Sequence, residues 1–159
     1  MIKIKVVAAG RIKERALSEL IGEYAKRLSK YCTLTIVEVP DESVAARESE
    51  ADVRRGLLAE SGRLLGRIAA GEYVIALDIK GDATDSPGFS KMLNDLAARH
   101  SALAFVIGGS NGLHPDVISR ADRALSLSRL TFPHQLARLI LLEQIYRAFK
   151  INNNETYHK

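Results

Sequence analysis

Along the chain two kinds of hydrophobic periodicity take turns. Ile2 to Ala8 sets apolar residues against Lys3 and Lys5 with a period of two, the mark of a strand. Leu17, Leu20, Ile21, Tyr24, Leu28 and Tyr31 then recur at three- and four-residue intervals and predict a helix of about four turns. Leu34 to Val39 returns to strand spacing and is ended by Pro40. Asp41 to Ser49 is polar and acidic and predicts a surface connection. A helix from about Ala51 to Ala70 follows, weakened by Gly56, Gly62 and Gly66. Tyr73 to Asp78 is almost wholly apolar, as expected of a strand buried on both faces. Gly81 to Ser86 carries turn chemistry, and Ser86-Pro87 reads as an N-cap followed by proline in the first helical turn. Phe89, Met92, Leu93 and Leu96 give that helix its buried stripe. Leu103 to Ile107 is a fourth strand, about His114 to Ala121 a short helix, and Ala124 to Ser128 a fifth strand. Pro133 opens a last helix that runs to about Lys150.

Strands alternating with helices throughout predict an α/β fold, a mostly parallel sheet flanked by helices. A length of 159 residues suits a single domain, 1–159, with a sizeable core. No internal repeat, low-complexity tract or linker interrupts it. The last helix adds an expectation of its own. Leu136, Leu139, Ile140, Leu142, Ile145, Tyr146 and Phe149 make one apolar face, and Ala137, Leu141 and Ala148 widen it beyond the usual stripe of ~100°. Such a helix needs a second burial partner besides the sheet, which points to a homodimer. A fully covered helix in a monomer is the competing solution.

An apolar fraction of 47% with 26% charged residues is ordinary for a globular protein. No apolar run approaches the ~18 residues of a membrane helix. The lysines near the N-terminus alternate with apolar residues in strand fashion rather than preceding a signal-peptide core, so a cytoplasmic protein is expected. The single cysteine, Cys32, excludes an intramolecular disulfide framework and reads as a small buried hydrophobe. The net charge of +4 and pI near 9.3 suit a polyanionic partner without requiring one.

The densest chemistry lies in the last third. Phe105-Val-Ile-Gly-Gly-Ser-Asn-Gly112 runs a buried strand into bare main chain, at the carboxyl edge where open α/β sheets bind ligands. A tight turn needing positive φ is the plainer alternative. The segment is neither Gly-x-Gly-x-x-Gly nor a Walker A loop. Ser126 to Pro133 likewise leads from a strand into a helix, so both loops are expected on the same edge. The four histidines show no i, i+4 pairing with another ligand type and no Cys/His cluster, so no metal is expected. No Gly-x-Ser-x-Gly elbow is present. Asp78 is open to an acid–base or a capping role. Arg129, Arg138 and the segment Tyr157-His158-Lys159 add cations, a stacking face and a group that titrates near neutrality.

Taken together, Ile107-Gly-Gly-x-x-Gly-Leu113, Leu125-Ser-Leu-Ser-x-x-Thr-Phe-Pro-His-Gln-Leu-Ala-Arg138, Leu141-Leu-Glu-Gln-Ile-Tyr-Arg-Ala148 and Tyr157-His158 closely resemble the ribosomal RNA large subunit methyltransferase H family of the SPOUT class. Lys3 to Gly10 and Glu23 to Leu28 fit as well, so the resemblance spans essentially the whole chain. It implies a trefoil knot in the C-terminal half, a homodimer, and S-adenosylmethionine as methyl donor. It further implies methylation of N3 of a pseudouridine in a 23S rRNA hairpin loop, within assembled ribosomes. The donor-contacting positions carried over are Leu77, Gly108, Leu127, Ser128, Arg129, Leu130, Thr131 and Phe132. His158 becomes the expected base, with Tyr157 stacking on the acceptor and Lys159 or Arg138 holding phosphate. Where relatives usually carry Gly-Glu-Pro and a closing arginine, this chain has Asn153-Asn-Glu-Thr156 and Lys159. That departure leaves one competing expectation, a ribosome-binding module of the same fold that has lost turnover; the sheet edge leaves another, an enzyme acting on a small molecule there.

Overall fold

A computed structural model describes residues 1–42 and 48–159. Its five strands are β1 (Ile2–Ala9), β2 (Cys32–Val39), β3 (Tyr73–Ala83), β4 (Ala102–Ile107) and β5 (Arg123–Ser126). They form one sheet in the order β2-β1-β4-β3-β5, and every pairing is parallel. The helices are α1 (Arg15–Leu28), α2 (Glu50–Leu65), α3 (Ser86–Arg99), α4 (Pro115–Arg120) and α5 (His134–Asn152). The expected α/β architecture is therefore present. Most of the expected surface connection from Asp41 to Ser49, residues 43–47, lies outside the described residues.

Strand alternation divides the core into two layers. Ile4, Val6 and Ala8 of β1 point with Leu103, Phe105 and Ile107 of β4 toward α1, α3 and α5, where Leu28, Leu93, Leu141, Leu142 and Ile145 are fully buried. Val7, Ala9, Ala104 and Val106 point the other way, onto Leu64 of α2 and Val117 of α4. Helices on both faces explain why β4 shows no polar alternation at all. Cys32 belongs to the first layer, where burial pushes its thiol up to about 11 and leaves it an unreactive core residue.

The breadth of the apolar surface on α5 has an explanation within one chain. The helix packs against both α1 and α3 as well as beneath the sheet. Phe149 stacks on Tyr31 with centroids 5.4 Å apart, and Tyr146 meets Tyr24 edge-on at 6.1 Å. On the other flank Ser90 donates to the Ala148 carbonyl at 3.1 Å, and Ser86 donates to Gln144 at 2.7 Å. The second burial partner of α5 is thus a pair of neighbouring helices, and the homodimer rests on the family resemblance rather than on helix amphipathicity.

Several boundaries move for local reasons. The N-cap of α3 is Asp85, whose carboxylate accepts the Gly88 N–H at 2.8 Å, so Ser86 is already helical. Helix α2 starts earlier than expected because Ser49 and Asp52 form a capping box, and it stops at Leu65. Strand β3 continues beyond Asp78 to Ala83 through a register shift, with both Leu77 and Asp82 opposite Leu125 of β5. Gly81 sits in that bulge because a Cβ there would lie 2.6 Å from the Leu125 nitrogen.

Candidate functional site

Three parallel strands, β4, β3 and β5, deliver their carboxyl ends to one edge, and the loops that leave them wall a cleft of about 730 Å³. Leu77, Asp78 and Ile79 come from β3. Gly108, Gly109, Ser110, Gly112 and Leu113 come from the glycine turn after β4, and Leu127 to Ala137, less Arg129, Gln135 and Leu136, from the loop after β5 and the start of α5. The size is that of a site for a molecule of nucleoside dimensions.

Each wall is held by its own main chain. In the glycine turn a Cβ on Gly108 would fall 2.3 Å from the Gly112 carbonyl oxygen, and Gly112 itself has φ +77°. Gly112 N–H donates back to the Gly109 carbonyl at 3.1 Å and closes the turn. Close approach to the main chain, expected of a ligand, is thus made first by the chain itself, and positive φ is needed at Gly112 rather than at the paired glycines. In the second loop Ser126 Oγ donates to the Ser128 carbonyl at 2.9 Å, and Ser128 Oγ accepts the Leu130 N–H at 3.0 Å. Pro133 then caps α5 without any side-chain partner for the first helical N–H groups.

Of the expected donor-contacting positions, Leu77, Gly108, Leu127, Ser128, Leu130, Thr131 and Phe132 all line the cleft. Arg129 stands in the same loop but faces solvent. Asp78 also lines the cleft, and its Oδ1 accepts the Lys80 N–H at 3.1 Å, a local turn role. The lining suits an adenosine-bearing donor: leucines offer apolar surface to a flat base, while Ser128, Thr131 and the main chain of the glycine turn add polar groups. Among the described residues no three His, Cys, Asp or Glu side chains group as metal ligands, and no helix is long and apolar enough to cross a membrane.

Arg138 requires a correction. Its side chain is 1% exposed, its guanidinium pairs with Glu38 of β2, and it donates to the Gly10 carbonyl at 2.9 Å. It ties α5 to the ends of β1 and β2, and its burial closes it to phosphate. Arg138→Met should lower unfolding free energy by about 2–4 kcal/mol, since Glu38 and Gly10 lose their donor. The same substitution should leave the salt dependence of ribosome binding unchanged, whereas loss of a phosphate contact would shallow that slope by nearly one.

The C-terminal segment is docked away from its own cleft. Tyr157 packs edge-on against Tyr146 at 5.1 Å, lies 4.6 Å beneath the Arg147 guanidinium, and donates to Glu143 at 3.1 Å. Burial, reinforced by hydrogen bonding and by Glu143, raises its phenol well above the usual tyrosine range, so it stays a neutral donor. His158 Nδ1 lies 3.4 Å from Arg147. Since Arg147 is ten residues beyond the cleft-lining Ala137 on α5, His158 sits about 15 Å along the helix from its own cleft. Local contacts hold the segment where its sequence departs from the usual one. Asn154 takes the left-handed conformation, φ 54°, which glycine favours and asparagine tolerates. Lys150 and Tyr31 both donate to Glu155 and hold its carboxyl below the usual range. Lys159 is exposed at the end of this segment.

A parallel α/β sheet with a nucleoside-sized cleft between two turns at its carboxyl edge is a ligand-binding arrangement of the open α/β class. Residues 2–158 match the family of predicted SPOUT methyltransferases, and the chain belongs to that family. It is 50% identical to "Ribosomal RNA large subunit methyltransferase H" of Clostridioides difficile over 99% of this chain and 100% of that one. It is 51% identical to the protein of the same name from Desulfitobacterium hafniense (strain Y51), over the full length of both. Among solved structures, that of a probable methylase family protein from Haemophilus influenzae Rd KW20 superposes with a TM-score of 0.53, covering 99% of this chain and 70% of that one. At 15% identity this likeness speaks for the fold alone.

Proposed function

We propose that this protein is a methyltransferase of ribosomal RNA that uses S-adenosylmethionine to methylate N3 of a pseudouridine in a 23S rRNA hairpin loop. It does so as a cytoplasmic homodimer acting on assembled ribosomes. The observation that carries this is the convergence of the glycine turn and the Leu127–Phe132 loop on one cleft, in a chain about half identical to full-length large-subunit rRNA methyltransferases. The trefoil knot is part of the same proposal, supported by membership of the SPOUT methyltransferase family.

When bound, S-adenosylmethionine supplies an electrophilic methyl group on sulfur. The displacement is in-line, so most of what the protein contributes is position. Leu77, Leu127 and Leu130 would hold the adenosine face, and Gly108 and the Ser128–Phe132 main chain its hydrogen-bonding edge. The acceptor N3–H must shed its proton, and His158 is the titratable group suited to take it. Because His158 lies far from the cleft of its own chain, it would serve the cleft of the second subunit, with Tyr157 stacking on the base and Lys159 holding phosphate. The fixed path of Asn154 and Glu155 favours a working tail over a module that binds ribosomes without turnover.

The test is direct. Calorimetry should show S-adenosylmethionine binding to the free protein, which an enzyme for an unrelated small molecule would lack. Tritiated methyl groups should then appear in 23S rRNA of intact ribosomes lacking the modification and far less in naked rRNA. Donor binding without transfer to ribosomes would leave only the non-catalytic module.

A further inference from the structure

We infer that Glu60 is a positioning residue for donor binding, its buried carboxylate latching the glycine turn to the loop after β2. The inference rests on the donor site proposed above. Glu60 lies on the inward stripe of α2, with Val53 and Leu57 half-buried and Leu64 buried, where hydrophobic spacing alone calls for another apolar residue. It is 4% exposed. Among the described residues no lysine, arginine or histidine pairs with it, and the nearby Arg63 is engaged by Glu42 and the Pro40 carbonyl.

Its two oxygens are used separately. Oε1 accepts the Gly109 N–H at 3.0 Å, and Oε2 accepts the Glu42 N–H at 3.2 Å. The fit against the turn is close: a Cβ on Gly109 would lie 2.9 Å from Oε2 and 3.3 Å from Oε1. A buried carboxylate without a cation is unfavourable unless its oxygens are satisfied, and here main-chain amides from two loops satisfy them. Glu60 does not line the cleft, but Gly108 and Gly109 do. Losing the latch frees the turn to move away from the donor, and the absence of a side chain at Gly109 is what lets the latch close.

The test measures S-adenosylmethionine affinity calorimetrically in wild type, Glu60→Ala, Glu60→Gln, Gly109→Ala and the double variant Glu60→Ala/Gly109→Ala. Glu60→Ala should weaken binding by about tenfold, equal to about 1.4 kcal/mol. Glutamine keeps one acceptor for Gly109 but turns an N–H₂ toward Glu42, so its loss should be smaller, about threefold. Turnover on ribosomes at saturating donor should stay within about twofold for both, giving a change in KM rather than kcat. The Gly109 amide should exchange faster in Glu60→Ala while β1 amides do not. Gly109→Ala should also weaken binding, and its effect should largely vanish when Glu60 is already alanine, because the two changes break the same contact. If Glu60→Ala does not fold, Glu60→Gln is read by donor affinity and Gly109 amide exchange alone, because glutamine still fills the space a Cβ on Gly109 would need. Additive effects in the double variant, or unchanged affinity in the Glu60 variants, would overturn the inference while leaving the donor site standing. No binding by wild type would overturn both.

Discussion

Gly108→Ala should weaken S-adenosylmethionine binding by at least about a hundredfold, the largest loss expected of any single methyl group in this protein. The added Cβ would stand 2.3 Å from the Gly112 oxygen and 2.7 Å from its carbonyl carbon. Both are main chain, so no side-chain rotation relieves the clash, and Leu113 closes the remaining side at 3.0 Å. The turn must open, which separates Gly109 from Gly112 and displaces the wall that faces Leu77 and Leu127. Calorimetry on the folded variant measures this, with thermal unfolding as the control. Affinity within a few-fold of wild type would show that the donor does not depend on this turn.

His158→Ala should reduce single-turnover methylation of saturating ribosomes by about 10²–10⁴-fold, the range for loss of a positioned acid–base group. Donor affinity should hold, because the seven cleft-lining positions of the donor set are untouched. A sharper form of the experiment uses the subunit geometry. Gly108→Ala damages a cleft and His158→Ala damages a tail, and on the proposal each working site takes the cleft of one subunit and the tail of the other. Mixing the two inactive variants and letting subunits exchange should restore roughly a quarter of wild-type activity, since half the dimers are mixed and each has one intact site. No recovery after verified exchange would place His158 in its own subunit's site or outside catalysis. Near-wild-type rates for His158→Ala alone would remove it from the chemistry.

The sheet was legible because its signals are local. Near-continuous apolar runs at Tyr73 to Leu77 and Leu103 to Ile107 announced strands covered on both faces, and glycines after Ile107 announced main chain at an edge. What stayed hidden depends on contacts distant in sequence. Arg138 reads as a surface cation until Glu38, a hundred residues earlier, is seen to neutralise it. The bulge of β3 needs β5 beside it, and the apolar width of α5 needs α1 and α3 on its flanks. For Glu60 a signal did exist. A carboxylate at the apolar spacing of α2, four residues before Leu64, marks a buried charge that must find donors, although the pattern cannot say that Gly109 and Glu42 supply them.

Helix α5 fills the layer between α1, α3 and the sheet, yet it is synthesised after residues 1–133. Until it emerges, Leu28, Leu93 and Phe105 have no cover on that side, and the nascent polypeptide presents a greasy trough to whatever surrounds it. That layer therefore closes only once α5 has left the ribosome, and the interval before then is where premature aggregation or chaperone capture would concentrate.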